Sequence, residues 1–207
     1  RIKSIAIVGT GSTAHQFAHH TMSELKKPVS KIWAINRVPL YLKDVDMCIA
    51  MDDHYWMARK ENYPGVRDAL LKLDIPIMTT TTYGTKGYVE YPLKKVLKAI
   101  PYFDGRYLDN SINYALALAI TMKIKHIYLW GCDFQAPDTV DCVIDQRETD
   151  PTWQTYYKDE FMAVDSEPGG RWIYFLMGIA VERKLTIHLP AYSTLTGLHR
   201  ERFFYGF

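Results

Sequence analysis

The sequence predicts an α/β protein, a parallel sheet covered by helices on both faces and built as a single domain. Three observations predict it. Near-continuous apolar strand segments alternate with segments of helical periodicity, as expected when strands are buried on both faces. The first strand runs into a glycine-rich turn that opens a helix. Polar residues gather where strands end, the edge at which open α/β sheets place ligands.

The first strand is Ser4 to Val8, followed by Gly9-Thr10-Gly11-Ser12-Thr13-Ala14 and a helix through about Lys27. A second strand, Lys31 to Ile35, stops at Asn36-Arg37, and a third, Asp46 to Met51, stops at Asp52-Asp53-His54. Pro64 to Leu73 reads as a helix entered through proline, and Ile75 to Met78 as a short strand. The hydroxyl-rich tract from Thr79 to Tyr88 reads as a connecting or ligand-facing loop, and Leu93 to Ile100 as another helix.

The segment Leu108 to Pro137 carries most information. Asp109, Asn110 or Ser111 caps a helix, an apolar run carries it, and the strand His126 to Trp130 ends in Gly131-Cys132-Asp133-Phe134. The polar, Asp-rich stretch 135–168 lacks strand periodicity and is long for a passive connection, which makes it a candidate lid. A helix from Gly170 to Arg183 and a strand from Leu185 to Leu189 complete the pattern.

At 207 residues the chain is long enough for one well-buried domain and short for two. A 48% apolar composition is that of a globular protein, and no apolar run approaches the roughly 18 residues of a membrane span, so membrane insertion is not expected. The formal charge of +2 gives no whole-protein field of the kind that binds nucleic acid. Three cysteines, Cys48, Cys132 and Cys142, fit reduced thiols of a cytoplasmic protein better than a disulfide framework.

The loop after the first strand matches G-x-G-x-x-A in a strand-to-helix setting, the Rossmann-like arrangement in which small residues let backbone approach a phosphate. Gly9, Thr10, Gly11 and Ser12 are therefore nucleotide-site candidates, as is Gly131 at a later strand end. An acidic residue at the end of the second strand would mark NAD binding, but Asn36 and Arg37 stand there. Arg37 suits a ribose 2′-phosphate, or else is a solvated surface charge. Asp52 with Asp53 and His54 is placed to bind magnesium, to orient an acceptor, or to cap the next helix. His15 and His19 lie one turn apart without a third ligand, so no metal site is assigned.

The motifs IAIVGTGST, WAINRVP, DMCIAMDD and SINYALALAITMKIKHIYLWGCDF, in that order, resemble the sialyltransferase-like fold of glycosyltransferase families 42 and 29, and the related MptE-like pterin diphosphokinase group. The resemblance covers roughly Ile5 to Phe134 as motifs with variable gaps. It implies that Gly9, Thr10, Gly11 and Ser12 face a donor nucleotide, with Thr10 where sialyltransferases usually carry Asn. Asn36 matches a donor-contacting Asn, Asn110 and Ser111 a Thr-Ser pair at a helix start, and Asp133 the Asp of the G-x-D-F motif. The chain departs from the pattern at Gln135 and Asp141, where tyrosines are expected, and has no His between Asp159 and Gly170.

The function expected is transfer of a sugar from a nucleotide-sugar donor to a hydroxyl-bearing acceptor. Asp133 and Asp165 are the candidate carriers of the acceptor's proton, since a carboxylate can deprotonate a hydroxyl. No firm cofactor is expected, and magnesium is an option. The rivals are a magnesium-dependent diphosphokinase of the MptE-like kind, an NADP-dependent reductase, and a non-catalytic nucleotide-binding module.

Overall fold

The computed structural model of the chain describes residues 2–11, 14, 17, 29–40, 42–51, 65–132, 167–190, 193 and 195, with 167–171 as backbone only. Its centre is a seven-stranded sheet comprising β1 (Ser4–Val8), β2 (Lys31–Ile35), β3 (Met47–Ile49), β4 (Ile77–Thr79), β5 (Tyr88–Glu90), β6 (His126–Trp130) and β7 (Thr186–His188). The spatial order is β5-β4-β3-β2-β1-β6-β7, and every neighbouring pair is parallel. This is the Rossmann-like α/β architecture that the alternating pattern predicts.

The chain winds outward from β1 to β5, then returns to lay β6 against the other side of β1. The order therefore reverses between β1 and β6, a topological switch point, and crevices of open sheets form outside the carboxyl ends of strands at such points. The loop candidates after β1 and β6 consequently meet at one place in the sheet.

Four helices are described along their length: α1 (Val66–Leu71), α2 (Leu93–Ala99), α3 (Ser111–Thr121) and α4 (Glu167–Glu182). Helix α3 buries Ala115 to Ile120 without a polar face. An all-round apolar helix has to be covered on both sides, and α3 touches β1 and β2 beneath it and α2 and α4 around it. Its alternating alanines keep it slim enough to approach the strands. Ile5, Ile7, Ile127 and Leu129 meet it from the sheet, whereas Ala6, Val8, Ile32, Ala34 and Trp130 face the opposite side and pack with Phe17. Helices therefore cover both faces.

Several boundaries differ from expectation. The strands 4–8, 31–35 and 126–130 match it, but β3 spans only Met47–Ile49, β4 is shifted to Ile77–Thr79, and α4 begins at Glu167, inside the stretch read as a lid. Strand β5 was not expected. Its residues are largely exposed, so no apolar run announces it, and it joins β4 through 80–87 without a crossover helix. Left-handed residues Tyr83, Gly84 and Gly87 reverse the chain twice within that short span. No helix among the described residues is long and apolar enough to cross a membrane.

Candidate functional site

Two glycines join the loops at the switch point. The Gly9 amide donates to the Trp130 carbonyl at 2.7 Å, and the Gly11 amide to the Gly131 carbonyl at 2.7 Å. A Cβ on Gly9 would lie 2.3 Å from the Gly131 oxygen, and one on Gly131, whose φ is +62°, would lie 2.4 Å from the Gly9 oxygen. No other residue type fits such a backbone-to-backbone approach. The amides of Gly9 and Gly11, expected from sequence to face a phosphate, are thus occupied by carbonyls of the β6 end.

One residue beyond β2, Asn36 adopts the left-handed conformation with φ +49°, which Asn tolerates better than most side chains. Three bonds fix it. Its amide donates to the Ile49 carbonyl at 3.0 Å, its carbonyl accepts the Cys48 thiol at 3.1 Å, and its side-chain oxygen accepts the Ser111 hydroxyl at 3.2 Å. Burial pushes the Cys48 thiol far up from its ordinary range, so it stays protonated and remains a donor. The Ser111 oxygen also accepts the Met51 amide at 3.2 Å. Ser111 is 6% exposed and ties the ends of β2 and β3 to the start of α3.

The α3 N-terminus is built as the sequence predicts, with Asn110 as the cap accepting the Asn113 amide at 3.0 Å. Asp109 Oδ1 accepts from the side chains of Asn110 at 2.9 Å and Asn113 at 2.6 Å. Partial burial raises the Asp109 pKa, and the hydrogen bonds from Asn113 and the backbone oppose that rise. Ile112 of the same first turn stands 3.3 Å from where a Gly9 Cβ would be, so this helix start and the first loop are neighbours.

Arg37 is 7% exposed, so it is not a solvated surface charge. Its carbonyl accepts the Leu40 amide at 2.9 Å and helps turn the chain after β2. The candidates Ser12, Asp52, Asp133 and Asp165, together with 135–166 of the expected lid, lie outside the described residues. Among the described residues no group of three metal-ligating side chains forms. The residues brought together are Gly9, Gly11, Asn36, Asn110, Ser111 and Gly131. Cys48 and Asn113 join them without having been foreseen.

The assembled edge can do two things chemically. Uncharged amides and hydroxyls can recognise a polar guest by hydrogen bonding, and the start of an eleven-residue helix contributes a partial positive charge. No family model and no curated protein sequence matches the chain. Among solved structures, the sialyltransferase CstII from Campylobacter jejuni in complex with CMP-3FNeuAc is similar at 14% identity, over 95% of this chain and 84% of that one, with a TM-score of 0.56. The same enzyme in complex with cytidine-5′-monophosphate gives 15% identity over 95% and 83%, with a TM-score of 0.49. At that identity the likeness is one of fold.

Proposed function

We propose that the chain is a glycosyltransferase-like enzyme that binds a nucleotide-sugar donor at the carboxyl edge of the sheet and passes the sugar to a hydroxyl acceptor. One observation carries the reading: Asn36, Ser111 and the Gly9–Gly131 contact meet at the strand ends beside the switch point between β1 and β6. In support, the similarly folded sialyltransferase has been solved with a CMP-sugar analogue.

In this reading the α3 start at Asn110 and Ser111, with Thr10 and Ser12 from the first loop, stabilises charge developing on the departing nucleotide phosphate. Gly9, Gly11 and Gly131 hold that loop in place, and Asn36, Arg37 and Asp52 border the nucleotide. The acceptor oxygen attacks the anomeric carbon, the bond from that carbon to the phosphate oxygen breaks, and the acceptor's proton passes to a carboxylate, Asp133 or Asp165.

A thermal-shift panel of CMP, UDP, GDP, ATP, NADP and the corresponding nucleotide sugars, each with and without magnesium, tests the reading. The expected result is a rise in Tm with a nucleotide sugar that survives chelator. A response to ATP only with magnesium would favour a diphosphokinase, one to NADP a reductase, and a donor bound but never turned over a binding module. Silence across the panel would remove the nucleotide site.

A further inference from the structure

At the opposite edge of the sheet, where β1, β6 and β7 begin, lies a cavity of about 910 Å³. Five cations line it: Lys3, Lys123, Lys125, Arg183 and Lys184. His126 and Thr121 add polar groups, and Ile2 and Leu185 supply apolar wall. No carboxylate is among its lining residues, and no carboxylate of the described residues pairs with any of the five. Glu182, exposed at the end of α4, is the acidic residue nearest in sequence.

The ordinary explanation for cations here is the partial negative charge of helix ends, since α2, α3 and α4 all finish on this side. Three helix ends at roughly half a charge each contribute about −1.5. Five side chains exceed that severalfold, so among the described residues most of the positive charge has no counter-charge. Two of the five cationic groups are fixed by hydrogen bonds, and the backbone at Lys3 and Lys125 is tied into the sheet. The carbonyls of Lys3 and Lys125 accept from His126 and Thr186 at 3.1 and 2.9 Å, extending the ladder of the sheet. The Lys125 ammonium rests on the Lys184 carbonyl at 2.7 Å, and the Arg183 guanidinium on the Ala99 carbonyl at 2.6 Å. Lys123 and Lys184 both stand in the left-handed conformation, φ +55° and +59°, just past a helix, where Gly or Asn is the usual occupant. A lysine there strains the backbone modestly and aims one more cation at the same edge.

We propose that this cavity is a second ligand site, separate from the carboxyl edge, that takes a compact polyphosphate-bearing small molecule. The volume falls in the range of small-molecule sites. The five cations line one cavity and the whole chain carries only +2, so a long nucleic-acid backbone is a poorer match.

Titration calorimetry with inorganic tripolyphosphate on the full chain is the test. The expected result is saturable binding that weakens with added salt, is about tenfold or more weaker in Lys3→Glu/Lys123→Glu, and is unchanged in Ser111→Ala. If the double reversal fails to fold, Lys3→Ala/Lys123→Ala serves with a smaller expected loss. No binding by folded wild type at low salt would overturn the site. So would unchanged affinity in the folded double variant, or an equal loss in Ser111→Ala, which would put the ion at the other edge. None of these outcomes depends on the nucleotide panel.

Discussion

The two edges of the sheet handle polarity in opposite ways. At the carboxyl edge the polar groups are mostly uncharged, closely spaced and bonded to one another, so that Asn36, Cys48, Met51 and Ser111 form a connected set. At the amino edge they are charged, surround open space, and lack acidic partners among the described residues. A bonded edge gains rigidity and is costly to alter, whereas an edge of uncompensated charge contributes little to folding and depends on a guest for its neutralisation. Substitutions at the carboxyl edge should therefore change stability far more than substitutions at the amino edge.

The largest effect is expected from Gly131→Ala, which combines a 2.4 Å clash with a backbone oxygen and a left-handed φ. A loss of roughly 3 kcal/mol or more, or failure to fold, should appear in chemical denaturation. A variant of wild-type stability would show that the loops after β1 and β6 separate easily, and the contrast between the edges would fail. Ser111→Ala comes next, because it leaves the Met51 amide and the Asn36 oxygen without their partner. Denaturation should show a loss of about 1–3 kcal/mol, with a modest weakening of nucleotide binding.

Cys48→Ala removes a donor to Asn36 and a buried sulfur, and should cost about 1–2 kcal/mol by the same measurement. Lys3→Glu/Lys123→Glu should stay within about 0.5 kcal/mol of wild type, because it alters exposed side chains that no bond holds. The smallest change belongs to Asp109→Asn, whose oxygen can still accept from Asn113. Because Asp109 has a raised pKa in the folded chain, it contributes stability that is fully present below its ordinary value of 3.8 and is lost as pH rises through the higher folded value. Denaturation midpoints followed across that range should thus show wild type gaining on Asp109→Asn as pH falls. A gain on raising the pH would reverse the assignment.

Elements with a strong local signal were legible from the residues alone. Strands β1, β2 and β6 are continuous apolar runs ended by polar residues, and Asn110 announces its helix by cap chemistry. Strand β5 sits at the rim with much of its surface in water, so tertiary pairing decides it and apolar periodicity does not. The site divides in the same way. The Asn110–Ser111 helix start could be placed, but the Cys48 bond to Asn36 depends on the register that sets Ala34 beside Cys48, which no single segment encodes. Likewise, G-x-G-x-x-A signals a close backbone approach without saying what approaches. In this fold the closest approach is made by the chain's own β6 terminus. Arg37 reads from sequence as phosphate-facing or surface-exposed, and its burial removes the second of these.

The sheet also ends abruptly on both sides. Its outermost strands, Tyr88–Glu90 and Thr186–His188, are three residues each, half the length of an average strand or little more. A rim that short offers an incoming chain few amide and carbonyl groups to zip onto, and Glu90 adds an exposed negative charge on one of them. Natural β proteins discourage unwanted polymerisation by the same means. Sheet growth into fibres is thereby discouraged, and the wide faces stay free for helices.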